Sequence, residues 1–131
     1  ITATCVRVPV FIGHAAAIHV ELSQFLAPEE ARRLLMEFPG VRVLDDTTVS
    51  LYPQPWSVAG TDDVVVGRIR RDAADSNGLA LWAAVDNLRK GAALNAVQIA
   101  EELVRRGLMP ERGKRYGKVG APSDSHGNAV Q

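Results

Sequence analysis

The sequence predicts an α+β fold in which a mixed sheet is combined with few helices. Three observations lead to this prediction. The chain has 131 residues, 47% of them hydrophobic, which is enough for about one domain with a real core. Short segments with strand-like patterns outnumber the two segments with helical spacing. The element order is two strands, a helix, a strand, a long loop, two strands and a helix, without regular strand–helix alternation.

Two short strands are predicted near the start of the chain. In residues 4–10, threonine and valine occupy every second position, which puts β-branched side chains on one face of a strand. Residues 18–22 alternate in a similar way. Gly13 lies between the two segments and permits a turn. We therefore expect residues 4–10 and 18–22 to form an antiparallel pair connected by residues 11–15.

A helix is predicted over residues 28–38. Pro28 suits the first helical position, and the two glutamates that follow it suit the positive end of the helix dipole. Apolar side chains then recur at helical spacing until Pro39 and Gly40 end the helix. Residues 41–44 are predicted to form a short strand.

The second half of the chain is predicted to contain two strands and a long helix. Residues 45–63 hold prolines, a glycine and isolated aromatic residues, and we expect a loop there. Val64–Arg71 and residues 79–85 have the length and composition of strands. Residues 89–106 carry a helical face of small and branched apolar side chains, and Gly107 ends this helix.

Basic and acidic residues are equal in number but unevenly distributed. Residues 105–131 hold six Lys or Arg and two Asp or Glu, so this tail carries +4 and residues 1–104 carry −4. The acidic body argues against a nucleic-acid-binding surface. Residues 108–131 are poor in large apolar side chains and are predicted to be disordered. Contact of the basic tail with RNA or a membrane is the less favoured alternative.

The cysteine content and the apolar runs limit the class of protein. A single cysteine excludes a disulfide scaffold and a multi-cysteine zinc site, and it suits a reducing cytoplasm. No apolar run approaches the ~20 residues that span a bilayer, so we expect a soluble cytoplasmic protein without a membrane partner. The chain begins without methionine, directly in strand-like sequence, and we expect it to be a piece of a longer protein.

Arg7 and His14 are the first candidates for chemistry. Arginine binds a carboxylate or phosphate through two parallel hydrogen bonds, and histidine transfers protons near neutral pH. A turn at Gly13 would allow both side chains to face one cleft, which suits proton transfer on an acidic substrate. From the spacing alone, a surface arginine and a hydrogen-bonded turn histidine are the favoured interpretation.

Cys5 is the only thiol and lies two residues before Arg7, on the same face of the predicted strand. A neighbouring cation can make a thiol reactive. A small buried hydrophobic side chain is nevertheless the favoured interpretation of Cys5. Cys5, His14 and His19 lack the spacing of metal ligands, so no metal site is predicted.

Residues 87–93 form a predicted strand-to-helix junction, whose backbone amides would suit an anion. Asn87 could equally cap the helix. No dinucleotide-binding fingerprint or phosphate-binding glycine loop occurs in the sequence. Arg68, Arg70 and Arg71 form a basic strand end, which is more simply explained as a solvated charge cluster than as a phosphate site.

Three segments carry a resemblance to a known family. They are TATCVRVPVFIGH at residues 2–14, GRIRRD at residues 67–72 and DNLRKGAALNAVQIAE at residues 86–101. All three resemble the C-terminal half of bacterial aspartate-β-semialdehyde dehydrogenases and occur in the family's order. The resemblance implies the fold of that family's dimerisation domain, which has a mixed, mostly antiparallel sheet.

The resemblance also implies an activity and three site residues. The family reduces aspartyl-β-phosphate to aspartate semialdehyde with NADPH, in lysine, methionine and threonine biosynthesis. Arg7 matches the arginine that binds the substrate α-carboxylate, His14 matches the general acid/base, and Asn87 matches a position that contacts the nicotinamide cofactor. The implied partners are the semialdehyde, its acyl phosphate, phosphate, and further copies of the chain in a homodimer or homotetramer.

The sequence departs from the family at several points. The family's nucleophilic cysteine lies in an Asn-Cys-x-Thr motif that is absent here, and Cys5 matches a different cysteine. The glycine-rich nucleotide loop is also absent, so most of the NADP site would lie outside this chain, and we expect the chain alone to be inactive. Ala15 and Ala27 stand where serines are common, and His19 stands where asparagine is frequent. A non-catalytic dimerisation fragment or a degenerate paralogue is the alternative function.

The resemblance finally implies a division of the chain. Residues 1–87 would be part of a substrate-binding and dimerisation domain. Residues 88–107 would be a helix that packs on a nucleotide-binding Rossmann domain missing from this chain. Residues 108–131 have no recognised counterpart in the family. Without its partner domain, we expect the terminal helix to expose an apolar face.

Overall fold

The computed structural model of the chain describes residues 1–109. In chain order, its elements are β1 (His14–Glu21), α1 (Pro28–Glu37), β2 (Val41–Val43), α2 (Pro55–Val58), β3 (Val64–Arg71), β4 (Gly78–Val85), a π-helical turn (Arg89–Ala93) and α3 (Leu94–Arg105). The predicted helices at 28–38 and 89–106 are confirmed within one residue at their outer ends, although the second begins as the π-helical turn. The predicted 45–63 loop contains the short helix α2.

The four strands form one mixed sheet in the order β1-β4-β3-β2. β4 pairs antiparallel with both β1 and β3, whereas β2 pairs parallel with β3. The predicted α+β class with a mostly antiparallel sheet is therefore confirmed. The β1–β4 register places His14 opposite Val85 and Glu21 opposite Gly78. This register brings the start of β1 and the end of β4 to one edge of the sheet.

Adjacent residues of β3 point to opposite faces of the sheet and supply two small cores. On one face, Val66 packs with Ala31 of α1 and with Ile69 and Leu79. On the other face, Val65 packs with Val58 of α2 and with Ala84. The sheet therefore has apolar contacts on both sides, and the two helices of the first half cover part of each face.

The predicted strand at residues 4–10 is wrong. Residues 1–12 form no strand and are exposed, with Val6 77% and Val8 53% accessible. β1 pairs with β4 instead of with this segment. Alternation of side chains shows only that a segment suits a sheet, because the ladder hydrogen bonds that hold a strand require a partner with a free edge. Within residues 1–109, β1 lies at one side of the sheet and its outer edge is free, but residues 4–10 do not pair with it.

The end of α3 is specified locally. Gly107 has a φ of +66°, its N–H donates to the carbonyl of Val104, and the N–H of Leu108 donates to the carbonyl of Leu103. This pair of bonds is the Schellman arrangement, which favours glycine because the left-handed conformation crowds a side chain. The glycine that the sequence marks as the helix end therefore does end it.

α3 buries none of its residues. Val97, Ile99 and Val104 are 55%, 53% and 63% accessible, so the expected exposed apolar face is present. The predicted disorder of residues 108–131 falls almost entirely on residues 110–131, which lie outside the described residues. Within residues 1–109, no helix is long and apolar enough to cross a membrane.

Candidate active site

The edge of the sheet where β1 begins and β4 ends brings two of the predicted site residues together. The backbone N–H of Gly13 donates a 2.7 Å hydrogen bond to Oδ1 of Asn87. Gly13 immediately precedes His14, and Asn87 follows β4 by two residues. This bond ties the entry into β1 to the exit from β4, so His14 and Asn87 lie on the same edge.

Gly13 cannot be replaced by a larger residue without moving the backbone. Its φ is +106°, and a Cβ atom on it would lie 2.5 Å from the carbonyl oxygen of Pro55. The hairpin predicted around Gly13 is absent, but the close contact of Gly13 with α2 fixes the chain directly before His14. The backbone can follow this path only because glycine has no Cβ atom.

Asp86 holds the junction between β4 and the following helix. Its side chain is buried, and its two carboxylate oxygens accept backbone N–H bonds from Gly60 at 2.7 Å, Leu88 at 2.8 Å and Arg89 at 3.1 Å. These bonds, with that from Gly60 the strongest, lower the pKa of Asp86 below its usual value. Asp86 keeps its negative charge and positions Asn87 beside it.

Sequence reasoning missed the role of Asp86. An aspartate directly after a strand, three residues before a helix, is a known local acceptor for backbone amides. The alternative that Asn87 caps the helix is wrong, because Asp86 accepts the Leu88 and Arg89 amides while Asn87 accepts from Gly13. Two amides of this junction are bound to the chain's own carboxylate and are therefore not available to an anion.

His14 is exposed at the first position of β1. Arg7 is also exposed, in the irregular segment before β1, and it makes no hydrogen bond or ion pair within residues 1–109. The structure therefore brings His14 and Asn87 to one edge but does not place Arg7 in contact with either. An exposed imidazole can exchange protons with a bound molecule, and a free guanidinium keeps all its donors for an anion.

Two further residues singled out in the sequence lie elsewhere. Cys5 is exposed, so its expected burial is wrong. His19 lies on β1, and its Nδ1 is 2.7 Å from Oδ2 of Asp72. The Ala74 N–H, which donates to Asp72, and the contact with His19 lower the pKa of Asp72. Within residues 1–109, no three His, Cys, Asp or Glu side chains are grouped as metal ligands.

Comparison with known proteins gives a consistent result. Residues 1–90 match the family described as semialdehyde dehydrogenase, dimerisation domain. The aspartate-semialdehyde dehydrogenase of Aquifex aeolicus is 51% identical over 83% of this chain, which is 32% of that protein. The Bacillus subtilis enzyme of the same name is 46% identical, with the same two coverages. The chain thus spans about a third of the length of these relatives.

Solved structures show the same likeness in three dimensions. The Vibrio cholerae aspartate semialdehyde dehydrogenase II complexed with ASA has a TM-score of 0.71 and 47% identity, covering 78% of this chain and 30% of the other. A Pseudomonas aeruginosa structure described as a probable aspartate-semialdehyde dehydrogenase has a TM-score of 0.65 and 33% identity, over 76% and 29%. The chain resembles the C-terminal part of these proteins.

Proposed function

The chain belongs to the semialdehyde dehydrogenase dimerisation-domain family, and on that premise we propose that it is the substrate-binding and dimerisation part of an NADP-dependent aspartate-semialdehyde dehydrogenase. Residues 1–87 would belong to the substrate-binding and dimerisation domain, and residues 88–107 would be a helix of the nucleotide-binding domain. The reaction would join aspartate semialdehyde, phosphate and NADP to give aspartyl-β-phosphate and NADPH. Relatives about 50% identical to the chain support this assignment.

One observation carries the proposal for the site: the 2.7 Å hydrogen bond from the Gly13 N–H to Oδ1 of Asn87. It holds the residue before the proposed acid/base directly against the residue proposed to contact the cofactor. Substrate and nicotinamide must meet at one place for a hydride to pass between them. The bond between Gly13 and Asn87 supports this proposal because it keeps His14 and Asn87 at the same edge of the sheet.

His14 would accept and return the proton that accompanies the reaction. Its exposed position at the sheet edge leaves the imidazole accessible to a bound substrate. Arg7 would bind the α-carboxylate through two parallel N–H donors, and its lack of a partner within residues 1–109 leaves those donors available.

Asn87 fits a role toward the cofactor. Because Oδ1 accepts from Gly13, the amide NH₂ group of Asn87 is left as a donor, and it makes no hydrogen bond to the described residues. The bound nicotinamide would supply hydride transfer. The Leu88 and Arg89 amides are bound to Asp86 and are therefore not available to phosphate groups of the cofactor.

A kinetic experiment tests this proposal on the longest gene product that contains the chain. We expect semialdehyde- and phosphate-dependent reduction of NADP, with NAD as the comparison cofactor. His14→Asn should lower kcat, and Arg7→Lys should chiefly raise KM for the semialdehyde. Unaltered kinetics in both variants would show that the site is assigned to the wrong residues.

The second candidate function is a non-catalytic dimerisation fragment. It is favoured by the exposed apolar face of α3, which could bind a second protein surface. The same gene product distinguishes the two candidates. Self-association of the gene product without turnover would favour the non-catalytic fragment. Turnover that is lost in His14→Asn would favour the enzyme.

A further inference from the structure

A second group of polar side chains lines a cleft at the far end of β3. The cleft has a volume of about 480 Å³ and lies between the loop after β2 and the irregular part of β3. Its polar lining includes Thr47, Ser50, Tyr52, Arg68 and Arg70. We refer to it as the bulge cleft, because the β3–β4 register shifts between Gly67 and Arg70.

The bulge cleft is separate from the candidate active site. The strand registers place Arg70 opposite Ala80, and Ala80 opposite His19, which is five residues along β1 from His14. At about 3.3 Å per residue, the two sites lie roughly 16 Å apart along the sheet. A ligand of the cleft would therefore not share contacts with His14.

A buried ion pair holds the bulge in place. The Asp45 side chain is only 2% exposed and accepts hydrogen bonds from the Arg68 N–H, the Ile69 N–H and Nε of Arg32. Arg32 also donates from Nη2 to the Ile69 carbonyl at 2.7 Å. The irregular backbone at Arg68 is thus fixed by two side chains and is not a frayed strand end.

Backbone strain is concentrated at the cleft. Ser50 and Arg68 have φ values of +53° and +54°, and within residues 1–109 they are the only non-glycine residues with positive φ. Both line the bulge cleft. Side chains other than glycine adopt this conformation at a cost in free energy, and such positions cluster where a protein binds ligands.

The acidic side chains of the cleft are already satisfied, whereas its basic ones are not. Asp45 is bound as described, and Asp46 accepts from the Thr48 N–H and hydroxyl, which lowers the pKa of Asp46. The Arg68 guanidinium lies over the Tyr52 ring, 5.3 Å from its centroid, and has no hydrogen-bond acceptor within the described residues. Arg70 uses only Nη1, to the Arg68 carbonyl. Within residues 1–109, most guanidinium donors of the two arginines have no acceptor.

We propose that the bulge cleft binds a small oxyanion, a carboxylate or a phosphate group, between Arg68 and Arg70. Tyr52 keeps the Arg68 guanidinium in place, which reduces the side-chain freedom lost on binding. The hydroxyls of Thr47 and Ser50 supply further donors. The third arginine of the basic strand end, Arg71, lies over the Phe25 ring and takes no part.

Binding of two probes to the full chain tests the proposal. Inorganic phosphate and succinate are titrated separately by calorimetry, and the preferred probe identifies the anionic group. We expect saturable binding that is weakened about tenfold or more in Arg68→Gln and in Arg70→Gln. Arg42→Gln is the matched control, because Arg42 is an exposed arginine of β2 that does not line the cleft.

Three results would overturn the proposal. They are the absence of saturable binding, an equal loss in Arg42→Gln, and a loss in Arg7→Gln with retention in Arg68→Gln. The last would place the anion at the proposed substrate arginine and leave the enzymatic proposal intact. If circular dichroism shows that Arg68→Gln does not fold, Arg70→Gln decides alone, because the Arg70 backbone makes no bond to Asp45.

Discussion

The two long helices of the chain have comparable amphipathic patterns but different surroundings. α1 places Ala31 in a core with Val66 and Ile69, whereas α3 leaves Val97 and Val104 more than half exposed. The difference shows that an apolar stripe specifies a helix and the face it offers, but not the surface that covers that face. It also separates a packed region around α1 and β3 from an open region that includes α3 and the His14 edge.

The largest expected effect is on the free energy of unfolding, when an isoleucine is replaced by alanine in each of the two regions. Ile69→Ala removes a side chain that is 2% exposed and should lower the free energy of unfolding by about 3 kcal/mol. Ile99→Ala, at a residue 53% exposed on α3, should change it by no more than about 0.5 kcal/mol. Urea denaturation measures both values. Equal losses would mean that α3 is packed against another surface in solution.

A second comparison concerns activity in the open region. In the longer gene product, His14→Asn should lower kcat about 100-fold, because a general acid/base is removed. His19→Asn is the matched control, since His19 is bound to Asp72 away from the Asn87 junction. Neither variant should shift the urea midpoint as far as Ile69→Ala does. A kcat that falls equally in both variants would contradict the assignment of His14.

Arg7→Lys should have a smaller kinetic effect. Lysine keeps the positive charge but loses the planar pair of donors, so KM for the semialdehyde should rise about tenfold with little change in kcat. Arg42→Lys, on exposed β2, is the control. An Arg7→Lys enzyme with normal KM would show that Arg7 remains as unpartnered in the longer protein as it is here.

A substitution at the start of α1 should stabilise the fold slightly by capping the helix. Ala27 precedes α1 with extended backbone angles and has no side chain that can cap it. Ala27→Ser should stabilise the fold by about 1 kcal/mol, because the serine oxygen can accept a free amide of the first turn. Ala100→Ser, within exposed α3, should instead be neutral or slightly destabilising. Thermal denaturation distinguishes the two.

The last comparison concerns the dependence of stability on pH that Asp86 contributes. Its pKa is lower in the folded chain than in the unfolded one, so its stabilisation is complete above pH ~4 and is lost as the pH falls through the folded-state value. Asp86→Asn should make stability less dependent on pH below 4. Asp63→Asn, whose side chain makes no hydrogen bond within residues 1–109, should not. Parallel acid denaturation curves for all three proteins would contradict this role.

Much of the fold was predictable from local pattern. Val64–Arg71 is confirmed with the predicted bounds, and the helix at residue 28 begins at its proline. Both predictions rest on local preferences that the tertiary structure leaves in place. The candidate site was predicted less completely. Asn87 and Gly13 were singled out separately, but their 74-residue separation hides the hydrogen bond between them.

The sequence by itself determined the α+β class, the two amphipathic helices and the end of α3 at Gly107. These features depend on the spacing of apolar side chains along the chain and on the backbone conformations that individual residues favour. Only the tertiary structure decided that β1 pairs with β4, that residues 4–10 form no strand, and that Asp86 takes the junction amides. Strand partners and buried acceptors are chosen by contacts between distant residues, and no local pattern records those contacts.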